Sequence, residues 1–206
     1  MIRRVAPEFQ TLAMNYGVNV PDVVEAIYQP FYDRLDYAAA GQTELRFFQT
    51  PIGQGGKTVQ DTNMVSAGVI AAPQQFLATQ ICLEFIPDSA PSTTADATAV
   101  ANDVAAVLDS GVVEFNVGNK NQLRDAPIGV FPPTHVLDID SSTTVADASI
   151  VSATNRGQMY DITPVNIPFS QNFDVSVKWT TPAALPSGNA GSLRCHLNGY
   201  LYRSAQ

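Results

Sequence analysis

Apolar and polar residues alternate with a period of two along most of the chain beyond Glu44, the pattern of half-buried β-strands. The clearest run is NFDVSVKWT, with Phe173, Val175, Val177 and Trp179 facing inward and Asp174, Ser176 and Lys178 outward. QFLATQICLEFIP is long enough for a central strand. Strict alternation places Phe76, Ala78, Gln80 and Cys82 on one face and Leu77, Thr79, Ile81 and Leu83 on the other. ELRFFQ is a short aromatic strand, and VVEFNVGN sets Val113, Phe115 and Val117 against Glu114 and Asn116. SLRCHLNGYLYR closes the series with Leu193, Cys195 and Leu197, then Tyr200 and Tyr202. Proline interrupts QLRDAPIGVFPP, which predicts an edge strand or a bulge. THVLDID leads into a Ser/Thr-rich loop, and GQMYDITPVNIPF reads as a further irregular strand.

Two regions depart from this period. Val20, Val23, Val24 and Ile27 fall at i, i+3, i+4 and i+7, with Asp22 and Glu25 on the other side, which predicts a short helix between Pro21 and Pro30. Phe31 to Ala40 is also helix-compatible and ends at Gly41. Residues 1–43 therefore read as an N-terminal arm with short helices, and residues 44–206 as the β domain. Val100, Val104 and Val107 predict a second helix over about Asp96 to Leu108, inserted between strands. About eight strands with one helical insertion and no βαβ rhythm give an all-β class, an antiparallel two-sheet sandwich or barrel.

Composition narrows the surface. Apolar residues make up 45% of the 206, enough for a substantial core, while only 15% are charged. Ser, Thr, Asn, Gln and Gly must then form much of the exterior, or partners must cover part of it. The net charge of −8 argues against a nucleic-acid-binding domain, and the basic residues do not cluster beyond Arg3-Arg4. The N-terminal MIRRVAPEFQ lacks the apolar core of a signal peptide.

Candidate chemistry is sparse. FFQTPIGQGGKTVQDTNM contains Gly56-Lys57-Thr58, yet a phosphate-binding loop needs a glycine where Pro51 stands, and no helical stripe follows. The segment reads instead as a glycine-rich turn between strands. Cys195 adjoins His196, but neighbours along a strand point to opposite faces, which excludes a catalytic pair. Cys82 and Cys195 lie in apolar runs and read as buried free thiols; a disulfide would require their strands to be adjacent. His135 and His196 have no zinc-type spacing. Asp138, Asp140 and Asp147 sit in one acidic stretch that could hold calcium, without the EF-hand pattern, and read as a solvated loop.

The stretches FFQTPIGQGGKTVQDTNM, NKNQLRDAPIGVFPPT and LPSGNAGSLRCHLNGYLYR, set in a Thr/Ser/Pro/Gly-rich β chain after a part-helical arm, resemble the jelly-roll capsid (coat) proteins of tailless icosahedral bacteriophages. The resemblance spans about residues 44–203, and the length allows only one barrel. It implies a single eight-stranded jelly-roll sandwich with an N-terminal part-helical arm and one short inserted helix. It further implies a structural protein of the virion, assembled in the host cytoplasm, with no enzymatic activity, cofactor or small-molecule substrate. Its expected partners are copies of itself and other capsid proteins, with indirect genome or inner-membrane contact through the arm left open. Val20, Val23, Val24, Ile27 and Phe31 are the expected subunit-interface residues. The competing reading is a receptor- or carbohydrate-binding β-sandwich, such as a phage spike or vertex protein.

Overall fold

The structure, a computed structural model, describes residues 7–18, 23–88, 94–131, 135–139, 151–155 and 159–204. In chain order the elements are α1 (Pro7–Asn15), β1 (Val23–Tyr28), β2 (Phe31–Tyr37), β3 (Glu44–Phe47), β4 (Gln75–Pro87), α2 (Thr94–Ser110), β5 (Gly111–Val117), β6 (Lys120–Pro127), β7 (His135–Ile139), β8 (Val151–Asn155), β9 (Tyr160–Ile167), β10 (Phe173–Trp179) and β11 (Gly191–Ser204). Two antiparallel sheets face one another. The first has the order β1–β11–β4–β9 with β2 also on β11, and the second β3–β10–β5–β6. β7 and β8 form a separate hairpin.

Over residues 23–40, the described part of the stretch expected to be helical, the chain is not helical but forms β1 and β2. β1 pairs with Tyr200–Ser204 and β2 with Gly191–Leu197, so the two are halves of one interrupted edge strand along β11. The break falls at Gln29-Pro30, where the Gln29 N–H still reaches the carbonyl of Gly199 at 3.0 Å. The inward positions of β2, those on the same face as Leu193, Cys195 and Leu197, are Phe31, Asp33, Leu35 and Tyr37. A charged residue in the second of these slots spoils the apolar alternation, and the valines upstream happen to match a helical spacing. Tertiary pairing overrides that local signal. Residues 23–37 are thus part of the sandwich, and the helix ahead of it is α1.

The core fills the space between the sheets. Phe76, Ile81, Leu83, Phe85, Leu193 and Leu197 from the first sheet meet Phe47, Val113, Phe115, Phe173, Val175, Val177 and Trp179 from the second. Trp179 packs edge-on against Tyr37, with ring centroids 5.2 Å apart, and its Nε1–H donates to the Val107 carbonyl at 3.2 Å. That bond ties the end of β10 to α2, whose Val107 is buried in the same core. α1 covers part of the first sheet's outer face, where Ala13 and Val18 pack with Leu77 and Tyr202.

Strict alternation fails once within β4. Ala78 pairs with Gly199 and Gln80 with Asn198, leaving Thr79 as an extra residue. This β-bulge reverses the faces beyond it. Phe76 and Ala78 therefore share the core with Ile81 and Leu83, not with Gln80 and Cys82 as uninterrupted alternation requires.

Candidate functional site

The long connection from Phe48 to Gln74 is the most elaborate feature beside the sandwich. Gly53, Gly55 and Gly56 all adopt positive φ, of 80°, 59° and 79°, which a glycine-rich turn permits at little cost. Lys57 emerges from this turn and points inward. Its Nζ donates to the Asp33 carboxylate and to the Arg34 carbonyl, the latter at 2.9 Å. Asp33 is fully buried and its Oδ2 accepts from the Phe48 N–H at 2.6 Å. The lysine of the Gly-Lys-Thr triplet is thus committed to the protein's own interior, and no helix follows it.

The connection is further tied to the turn after β9. Phe173 N–H donates to the Gly68 carbonyl at 2.8 Å and Ser170 N–H to that of Ile70 at 3.1 Å. Met64 and Ile70 are buried, whereas Ile52, Val59 and Val65 stand exposed along the connection and Phe169 on the neighbouring turn. A loop anchored at so many points holds these apolar side chains at the surface.

Cys82 and Cys195 are buried free thiols, as expected. Their strands do pair, but Cys195 lies opposite Leu83 and Cys82 opposite His196, so the two sulfurs occupy opposite faces of the sheet. Burial pushes the Cys195 thiol well above its ordinary value, the reverse of what a nucleophile needs. His196 shares the outer face with Tyr32, with ring centroids 6.2 Å apart.

The expected interface residues divide. Val20 lies outside the described residues. Val23 and Ile27 pair with Ser204 and Leu201 of β11, and Val24 sits between them in β1. Phe31 packs edge-on against Phe76, with centroids 4.7 Å apart, and lies partly buried at the margin of the core. Of the acidic stretch, Asp138 lies opposite Ser152 in the β7–β8 hairpin, while Asp140 and Asp147 fall outside the described residues. Among the described residues no three His, Cys, Asp or Glu side chains gather as a metal site would require, and no helix is long and apolar enough to cross a membrane.

Two features escaped the sequence reading. The outer face of the first sheet carries Tyr28 against Tyr200, centroids 5.7 Å apart, beside Tyr32, His196 and Gln80. The register of β1 and β2 on β11 assembles this row, and a helical assignment scatters it. Between β6 and β9, the last strands of their sheets among the described residues, lies a cleft of about 460 Å³, lined by Phe115, Leu123, Tyr160, Ile162 and Val165 with Gln122 and Asp161. No protein-family model matches the chain, and no curated protein matches it in sequence.

Proposed function

We propose that the chain is a structural capsid protein, a jelly-roll subunit that self-assembles into an icosahedral shell. Strand order carries this reading. With β1 and β2 taken as one interrupted strand and the β7–β8 hairpin as an insertion, the sandwich strands, renumbered in sequence, run 1-8-3-6 in one sheet and 2-7-4-5 in the other. Two Greek keys wrapped face to face give this order, the double-sheet jelly roll used by viral capsid and lectin domains. A fold alone does not choose between those uses. The exposed, anchored Ile52, Val59, Val65 and Phe169 favour a subunit that buries them against a neighbour. A charged fraction of 15% suits extensive contact between copies. The arm's contribution to such contacts falls to the residues ahead of β1.

Size-exclusion chromatography with light scattering, followed by electron microscopy of the early fractions, tests the reading. The expected outcome is megadalton particles, or capsomers that close into shells on concentration. A small oligomer that never grows overturns it. That result would favour the second reading, a carbohydrate- or receptor-binding sandwich, for which the Tyr28, Tyr32, Tyr200 and His196 row is the supporting observation. A glycan screen on the wild type and on a Tyr28→Ala variant would then decide it.

A further inference from the structure

We propose that Lys57 and Asp33 are joined by an intramolecular isopeptide bond, formed by condensation of the lysine amine with the aspartate carboxyl. The pair lies 24 positions apart in sequence, on β2 and the glycine-rich connection, and is in direct contact inside the protein. Asp33 has no exposed side-chain surface and Lys57 retains 11%.

The backbone groups at the site can serve an amide as well as they serve two ions, and the Thr62 hydroxyl also reaches Asp33. A carboxylate offers about four acceptor positions and an ammonium three protons. An amide offers one carbonyl and one N–H. The site supplies one backbone donor, the Phe48 N–H on Asp33 Oδ2, and one backbone acceptor, the Arg34 carbonyl on Lys57 Nζ. Both bonds survive condensation, because Oδ2 becomes the amide oxygen and Nζ the amide nitrogen. Two desolvated charges are replaced by a neutral group, which removes the penalty of burying an ion pair.

The step balances without a co-reactant. The ammonium first passes a proton to Asp33 Oδ1, leaving a neutral amine and a neutral carboxylic acid. The Nζ lone pair then forms a bond to Cγ, and the charge that develops on Oδ2 meets the Phe48 N–H, a preorganised donor. The Cγ–Oδ1 bond breaks, and Oδ1 departs as water with its own proton and one more from Nζ. Fixed contact between the reacting groups replaces the entropy cost of a bimolecular encounter. Burial, the largest influence on Asp33, raises its carboxyl above the ordinary aspartate value and favours the uncharged form that the reaction consumes. Lys57, the Phe48 N–H and the Thr62 side chain pull the other way. A cleft of about 290 Å³ lined by Arg34, Thr50, Gly55, Gly56, Lys57 and Asp61 gives the water an exit.

Intact-mass measurement on the full-length, denatured protein tests the proposal. The expected mass is lower than that of the sequence by one water, and proteolysis should yield a single branched peptide that joins the segments around Asp33 and Lys57. Lys57→Arg should restore the sequence mass, since arginine does not condense. Lys178→Arg, which alters the Lys178–Glu114 pair on the second sheet, should leave the deficit in place. A wild-type mass equal to that of the sequence overturns the proposal. So does a water deficit confined to one linear peptide, which would be a cyclised aspartate. Neither result bears on shell assembly, so the two readings fail independently.

Discussion

At the scale of single residues the tightest constraint is steric. A Cβ at position 199 would lie 1.9 Å from the Leu77 carbonyl oxygen, across the bulge that reverses β4. Gly199→Ala must push β4 and β11 apart, and overpacking of this kind costs about 3 kcal/mol. Urea unfolding should show a lower midpoint for the variant with little change in slope. Tyr202 carries a second residue-scale prediction. Burial raises its phenol to about 12, above the ordinary value near 10. The neutral form is therefore preferred in the folded state. Its stabilisation is complete below about pH 10 and is lost as pH rises through about 12, on the order of 2 kcal/mol. Denaturant unfolding at about pH 9 and about pH 11.5 measures the difference, and Tyr202→Phe should reduce it, while Tyr37 and Cys195, also raised by burial, keep a remainder. Both thiols should resist a thiol reagent in the native protein and react once it unfolds, because both are buried and burial disfavours the Cys195 thiolate.

At the scale of elements, β1 and β2 decide what can be removed. Deleting residues 1–40 takes away the edge partner of β11 along almost its whole length. Such a protein should fail to give a cooperative unfolding transition by circular dichroism. Deleting residues 1–22 leaves both strands and, among the described residues, removes the cover over Leu77 and Tyr202 and the Gly17 carbonyl that accepts from Asn166. That variant should fold, with a loss of about 2–3 kcal/mol for the re-exposed apolar surface. It is also the truncation that tests the arm in assembly, since a loss of shells would then not reflect unfolding. The connection of α2 to the sandwich depends on Val107 and on the Trp179 bond to its carbonyl. The helix was legible from Val100, Val104 and Val107. Its extent, Thr94–Ser110, and the immediate start of β5 at Gly111 were not, since the last helical residues have no apolar face of their own.

At the scale of the whole molecule, charge and edges matter together. Each copy carries −8. Copies that associate through apolar loops must overcome that repulsion, and the Debye length falls to about 3 Å at 1 M salt. Raising the ionic strength should therefore increase scattering and lower the concentration at which large particles appear; dispersal by salt would point to contacts held by ion pairs. Among the described residues β6 and β9 end their sheets, and both are guarded against disorderly growth. β6 carries Lys120, Arg124 and Pro127, and β9 carries Pro164, residues that discourage a further strand from pairing.

The sequence by itself determined the class of the protein and most of its strands. β4, β5, β10 and β11 each bury one or more alternating apolar faces, and a period of two survives in the sequence wherever neighbouring slots face core and solvent in turn. It also determined that the Gly-Lys-Thr triplet is a turn, because Pro51 removes a donor that no later contact can restore. Only the tertiary structure decided that residues 23–37 are strand, that Thr79 reverses a face, and that Lys57 meets Asp33. Each of these depends on pairing between segments far apart in the chain. A buried aspartate in a strand reads as a solvent-facing residue until its lysine, delivered by another loop, is in place.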